Sequence, residues 1–238
     1  MMMKINLFTG LLLLTACHHT PSADFPLVEN EPAPSKTFSY LALGDSYTIG
    51  QGVEPMSSFP LLLEKSLIDK GYAKVTDTKI IAKTGWTCST LLQNIATSQI
   101  KDRSYHLVSL LIGVNDQYQK NNISQYSERF NSLLNEAIRI SGDKDRVVVL
   151  SIPDYSVTPF AISSGQPEKI AAELREYNKI NQQISTALGV KYVNVTDISL
   201  KAKDDLSYLA ADKLHPSSKM YTEWVSVLLP KAIEALTK

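Results

Sequence analysis

The residues of this chain whose types and spacing could carry chemistry are Ser46, Asp212 and His215. Ser46 closes the tripeptide Gly44-Asp45-Ser46, which follows directly on the apolar run Phe38-Ser39-Tyr40-Leu41-Ala42-Leu43. An apolar stretch that stops at Gly-Asp-Ser has the form of a buried strand delivering a nucleophilic hydroxyl at its end. Gly44 permits a tight strand-to-helix turn, and a helix start after it would aim N–H groups at developing negative charge. A free serine hydroxyl is poorly nucleophilic near neutral pH and needs an adjacent base. The four histidines are at 18, 19, 106 and 215. The first two lie in a Pro-rich stretch, and His106 heads an apolar run at the end away from any Gly-Asp-Ser rim, which leaves His215 as the base. Asp212 precedes it by three residues. In a turn, that spacing lets a carboxylate reach the imidazole Nδ1–H, fix its tautomer and stabilise the imidazolium. Each residue also has a plainer reading: Ser46 as a helix-capping serine, His215 as a packed or solvent-facing histidine, Asp212 as a turn or capping aspartate.

These groups need a scaffold to meet. Apolar, β-rich runs are expected as strands at 38–43, 75–81, 106–112, 146–151 and 190–195, with helical-period segments between them. The clearest helix is expected to begin at Ser124 as N-cap, with Tyr126, Phe130, Leu133, Leu134, Ala137 and Ile138 at three- and four-residue spacing. Another follows Pro167 and stops at Gly189, a natural residue just past a helix end. Ser58-Phe59-Pro60 opens a third that Gly71 ends, weaker signals lie between Thr87 and Ile100, and the last runs from near Ser217 to about Leu229, where Pro230 should kink or end it. Strand and helix alternating five times implies an α/β fold, a three-layer α/β/α sandwich with a five-stranded parallel sheet. Ligands in such folds bind beyond the C-terminal ends of the strands. Both Gly44-Asp45-Ser46 and Gly113-Val114-Asn115-Asp116 fall at such ends, so two unconnected segments deliver polar groups to one rim.

Gly44-Asp45-Ser46, Gly85, Gly113-Val114-Asn115-Asp116 and Asp212-Lys213-Leu214-His215-Pro216, in this order, resemble the blocks of the SGNH hydrolases, the GDSL-type lipases and esterases. The resemblance spans Phe38 to the last helix and implies the flavodoxin-like sandwich of that family. It also implies ester hydrolysis through a Ser46–His215–Asp212 triad and an acyl-enzyme. The oxyanion hole it implies is the backbone N–H of Ser46, the backbone N–H of Gly85 and the side-chain amide of Asn115. Asn115 as a turn residue and Gly85 as an ordinary loop glycine are the plainer readings. No metal or organic cofactor is required. The chain departs from the family pattern at Tyr47, where the family name expects Leu, and at Trp86, where many members carry a small or acidic residue. Both are expected to narrow or line the mouth of the site as substrate-binding residues. Tyr155, in a long loop from Ile152 to Gln166 with Pro153, Pro159 and Phe160, is a third candidate, the loop being either a wall of an acyl or sugar pocket or an ordinary surface connection. The family includes lipases, lysophospholipases, thioesterases and carbohydrate acetylesterases, and a fold does not choose among them. Two other classes share the pattern: a surface binding module on the same fold without turnover, and a flavodoxin-like cofactor binder.

The N-terminus reads as an export signal: a basic start through Lys4, an apolar run Ile5 to Leu14, then Thr15-Ala16 before Cys17. A membrane-spanning helix needs about 20 apolar residues, more than this run holds. Leu14-Thr15-Ala16-Cys17 is similar to a bacterial lipobox, which implies a signal at 1–16 and lipidation of Cys17. His18 rather than Asp after it suggests the outer membrane if the source is Gram-negative. Residues 17–37, with prolines at 21, 26, 32 and 34, read as a flexible tether, and residues 38–238 as the hydrolase domain. The expected setting is thus the bacterial cell envelope, with the membrane engaged through the lipid on Cys17. Cys88, the other cysteine, reads as a buried thiol. Lys plus Arg balances Asp plus Glu at 24 each, so nothing steers the chain toward nucleic acid. The glycine and lysine patterns of nucleotide-binding loops are also missing. The remaining partner is an ester of small-molecule, lipid or glycan type.

Overall fold

The computed structural model describes residues 36–100 and 104–237. The expected export segment, Cys17 and the tether as far as residue 35 lie outside the described residues; Lys36 and Thr37 join Phe38 in the first strand. In chain order the elements are β1 (Lys36–Phe38), β2 (Tyr40–Gly44), α1 (Ser46–Ile49), α2 (Phe59–Asp69), β3 (Tyr72–Lys74), β4 (Lys79–Ala82), α3 (Cys88–Thr97) and β5 (Leu107–Leu111). They continue with α4 (Val114–Tyr118), α5 (Ile123–Ser141), β6 (Val147–Leu150), α6 (Pro159–Ser163), α7 (Pro167–Ala187), β7 (Lys191–Val193), α8 (Thr196–Ser199) and α9 (Ser218–Leu236).

The main sheet has the expected five parallel strands, and their order is β4-β2-β5-β6-β7. β2, β5 and β6 are buried throughout, because helices cover both faces. α2 packs with α9 on one side; α3, α5 and α7 pack in sequence on the other. Trp224 of α9, Phe59 of α2 and Tyr221 form an aromatic cluster, with Trp224 completely buried. Truncating such a side chain costs about 3–5 kcal/mol.

The strand order places the site. From β2 the chain crosses to β4 on one side, then to β5 on the other, so winding reverses at β2. A crevice opens at the strand ends where this reversal occurs. The register aligns the three ends: Gly44 sits opposite Ala82 of β4 and opposite Leu111 of β5. Ser46, Gly85 and Asn115 follow those three residues within a few positions.

Several elements differ from the sequence reading. The expected strand 38–43 is split at Ser39 into β1 and β2; of the expected strand 75–81 only Lys79, Ile80 and Ile81 are strand, in β4, while Val75 and the polar stretch Thr76-Asp77-Thr78 form the connection from β3 to β4. β1 and β3 pair with each other as a separate two-stranded sheet. The N-cap of α5 is Asn122, not Ser124; its Oδ1 accepts from the N–H groups of Ser124 and Gln125. α9 continues through Pro230 to Leu236. Pro230 and Ser226, the residue whose carbonyl loses its usual donor, are both exposed, so water can satisfy that carbonyl while Leu228, Ala232 and Ala235 stay buried. The long Ile152–Gln166 connection is not irregular: it holds a 3₁₀ turn at Tyr155–Val157 and then α6.

Candidate active site

Ser46 is the first residue of α1, reached by a turn too sharp for any side chain at position 44. A Cβ there would collide with Thr48 Oγ1 and lie 2.5 Å from the Leu111 carbonyl oxygen. Asp45 caps the helix, its Oδ1 accepting from the Tyr47 N–H at 3.0 Å. Ser46 is therefore both the opening residue of a helix and a side chain at the strand-end crevice.

His215 comes from the other end of the chain. The segment before α9 folds back on itself, with Leu209 bridging Pro216 and the Ala210 N–H donating to the His215 carbonyl at 2.8 Å. Lys213, at φ 56°, turns the chain. Asp212 Oδ1 accepts from the N–H groups of Leu214 and His215, each at 3.0 Å, while Oδ2 lies 2.7 Å from His215 Nδ1. One carboxylate thus both builds the turn and meets the ring nitrogen, a geometry compatible with either reading of Asp212. His215 Nε2 is 3.0 Å from Ser46 Oγ. Burial alone would raise the Asp212 carboxyl, but the hydrogen bonds from the His215 N–H, its ring and the Leu214 N–H hold it below the ordinary carboxylate value. It is the charged member of the set.

Tyr47, expected in the mouth, is buried and does more than line it. Its ring packs edge-on against His215, with centroids 5.6 Å apart, and against Trp224 at 6.3 Å. The Tyr221 hydroxyl donates to the Tyr47 carbonyl at 2.9 Å. The imidazole therefore rests on an aromatic floor tied to α9.

Asn115 lies in the first turn of α4, after Gly113 at φ 125°. Its Nδ2 donates to the Trp86 carbonyl at 3.0 Å, which leaves the second hydrogen of that amide for another acceptor. Gly85 turns the chain at φ 82°. Among the described residues, no protein group accepts from the backbone N–H of Ser46 or of Gly85. Ser46, Gly85, Asn115 and His215 line one cavity of about 370 Å³, together with Tyr47 and Tyr155.

Trp86 does not. Its indole lies in a separate groove beside edge strand β4 and α3, near Lys79 and Asn94, and packs against the core. The positive φ of Gly85 carries the following side chain away from the cavity, and only the Trp86 backbone carbonyl serves the site. Tyr155 lines the cavity: its hydroxyl donates to Gln117 Oε1 at 2.9 Å, and its ring meets Phe160, which in turn meets Tyr118. The connection that contains it is a wall of the cavity. Tyr118, Gln51, Gln119 and Leu214 also line it and were not singled out from the sequence. For Gln119 a signal existed, since it stands four residues after Asn115, at the C-cap of the helix whose first turn holds Asn115.

Beneath the site lie Asp45, Cys88 and Asp116. Burial pushes the Asp45 carboxyl up to about 8 against the Tyr47 N–H bond, with the Asp116 charge adding to the rise. Burial also pushes the Cys88 thiol well above its ordinary value, which fits an inert thiol rather than a nucleophile. His106 is at the far end of β5, with Nδ1 2.9 Å from Ser39 Oγ. Among the described residues, no three His, Cys, Asp or Glu side chains gather as metal ligands, and no helix is long and apolar enough to cross a membrane.

The family model described as GDSL-like Lipase/Acylhydrolase family matches residues 42–222. None of the curated proteins matches. Among solved structures, TesA is similar at a TM-score of 0.66 and 19% identity, over 83% of this chain and 99% of TesA. A family 3 carbohydrate esterase from Clostridium thermocellum gives 0.63 at 20% identity, over 85% of this chain and 98% of that one. A psychrotrophic esterase, EstA from Pseudoalteromonas sp., gives 0.62 at 15% identity, over 84% and 99%. At these identities the structural likeness speaks for the fold.

Proposed function

This chain belongs to the GDSL-like lipase/acylhydrolase family and is an ester hydrolase by that membership, and we propose that it works as a serine esterase with Ser46 as nucleophile. The observation that carries the reading is the unbroken relay from Asp212 Oδ2 to His215 Nδ1 at 2.7 Å and from His215 Nε2 to Ser46 Oγ at 3.0 Å. Ser46 Oγ attacks the ester carbonyl carbon as its proton passes to His215 Nε2. Asp212 stabilises the imidazolium so formed. The carbonyl π electrons move onto oxygen, and the backbone N–H of Ser46, the backbone N–H of Gly85 and the free hydrogen of Asn115 Nδ2 receive that oxyanion. Collapse expels the alkoxide, which takes the proton from His215 and leaves an acyl group on Ser46. Water, deprotonated by the same imidazole, then releases the acid and restores Ser46.

The substrate reading is an ester of a small-to-medium acyl group. A cavity of about 370 Å³ stands near the low end of ligand sites. Its walls mix apolar groups, Val114, Tyr155, Phe160 and Leu214, with the amides of Gln51 and Gln119. This lining suits an acetylated carbohydrate or a short lipid ester. A lipid on Cys17 would hold the enzyme at the cell envelope, within reach of either; Cys17 lies outside the described residues. Hydrolysis of p-nitrophenyl esters of increasing acyl length, beside acetylated xylo-oligosaccharide and lysophospholipid, tests the reading. Turnover falling beyond medium chains supports it, and rates that keep rising through long chains overturn the size argument.

A further inference from the structure

Apart from the packed Trp86 side chain, the loop that carries Gly85 is held by hydrogen bonds. It leaves edge strand β4, Lys83, Thr84 and Gly85 are exposed, and a Cβ built on Gly85 would meet nothing within 4 Å. Glycine gives the two peptide units on either side of it the widest freedom to turn against each other. Four hydrogen bonds restrict them. On one side, Thr84 Oγ1 donates to Gln51 Oε1 at 2.5 Å. On the other, the Trp86 N–H donates to the Lys83 carbonyl at 3.2 Å, and Asn115 Nδ2 to the Trp86 carbonyl at 3.0 Å. The fourth is, among the described residues, the one made to Gly85 itself: Gln119 Nε2 donates to its carbonyl at 3.2 Å. A carbonyl only accepts, so the donor here is the Gln119 amide nitrogen.

We propose that Gln119 is a positioning residue: its bond to the Gly85 carbonyl fixes the Gly85–Trp86 peptide unit, while Thr84 and Gln51 tether the neighbouring unit that carries the Gly85 N–H, so that the turn holds Gly85 at the Ser46 cavity. The inference rests on the serine-esterase reading, since it concerns the donor that would meet the oxyanion. Asn115 in the first turn of α4 and Gln119, its C-cap, divide the work: Asn115 offers one hydrogen to substrate and the other to the Trp86 carbonyl, and Gln119, whose side chain also borders the cavity, acts on the oxyanion through the loop. A donor displaced by about 1 Å is enough to cost up to about a hundredfold in rate. Because the tetrahedral oxyanion demands that donor more than the ground-state carbonyl does, the loss falls on kcat rather than on KM.

The test compares wild type with Gln119→Met, of similar length without a donor, and with Gln119→Glu. The readouts are kcat and KM on p-nitrophenyl butyrate, the inhibition constant of phenylboronic acid, which forms a tetrahedral anionic adduct with a serine nucleophile, and thermal stability. Gln119 is exposed, so both variants are expected to melt with wild type. The expected result for Gln119→Met is a kcat lowered about tenfold or more, KM within about twofold, and boronic acid affinity lowered in parallel. Gln119→Glu, unable to donate and carrying negative charge, is expected to fall further. Unchanged kcat and boronic acid affinity in Gln119→Met, with wild type active, would overturn the role of Gln119 alone. A rise confined to KM would also overturn it, as a ground-state contact. Wild type without turnover or boronic acid inhibition would sink the serine-esterase reading and this inference with it.

Discussion

The side-chain amide of Asn115 donates to the backbone carbonyl of Trp86 at 3.0 Å, tying the segment after β5 to the segment after β4. The two segments proposed to hold the oxyanion are therefore not independent. In the proposed mechanism one amide group serves as a donor and as the brace for the loop that carries another donor. Their strands flank β2, the strand that leads to Ser46, so the whole donor set hangs on one crevice between three strand ends.

Asn115→Ala is expected to remove a donor and loosen the Gly85 loop together. Losing one oxyanion donor costs about 10²–10³ in kcat, and the loss here should reach at least that range with KM little changed. Steady-state kinetics on a p-nitrophenyl ester checks it; a kcat within a few-fold of wild type would remove Asn115 from the oxyanion set.

Asp212→Asn keeps the turn-building oxygen but presents an amide to the imidazole. The activity lost should be about 10⁴-fold, less than for Ser46→Ala or His215→Ala, since the carboxylate acts through the histidine. Equal losses from all three substitutions, with folding intact by circular dichroism, would mean that Asp212 does more than orient and stabilise the ring.

Gly113→Ala should damage both stability and rate. Position 113 has φ 125°, and a Cβ there would collide with the Tyr126 hydroxyl and lie 2.7 Å from Ile152 Cδ1. Holding a side chain in such a backbone conformation costs about 1–3 kcal/mol before any collision is counted. Urea unfolding is expected to show at least that loss, along with reduced kcat as Asn115, two residues on, shifts.

Asp45 should make stability depend on pH in an unusual direction. Burial holds its folded carboxyl up to about 8, whereas an unfolded aspartate titrates near about 3.9. Between those values the folded state binds more protons than the unfolded one, so this group's contribution falls as pH rises from about 4 to about 8. Asp45→Asn removes that titration, and its stability relative to wild type should climb across the same window. Parallel stability curves would show that Asp45 is ionised in the folded protein. Among the described residues its Oδ2 is buried with no partner, as a neutral carboxyl tolerates better than a charged one.

Much of this site was legible before any fold was known, because the chemistry narrows the residue types. With four histidines, two of them in a Pro-rich stretch, elimination led to His215, and a three-residue spacing led to Asp212. The strands were legible for a related reason, since runs such as Val147–Leu150 are apolar on both faces. Side-chain direction was not legible. Trp86 follows a glycine at positive φ, and nothing in the order of residues says that its indole faces β4 and α3 while its carbonyl faces the site. The α5 cap went to Asn122 over Ser124 because both are capping residues and only backbone geometry separates them. Pro230 did not stop α9 because the group it leaves unbonded faces water, and exposure at one turn of a helix is a tertiary fact.

The most direct test of the central claim is intact-mass measurement after treatment with a fluorophosphonate, on wild type and on Ser46→Ala, with ester turnover followed in the same samples. The expected result is a single phosphonyl adduct on wild type, mapped to Ser46, appearing in step with the loss of turnover, and no adduct and no turnover in Ser46→Ala. An adduct on another residue, or turnover that survives in Ser46→Ala, would contradict the assignment of Ser46 as nucleophile.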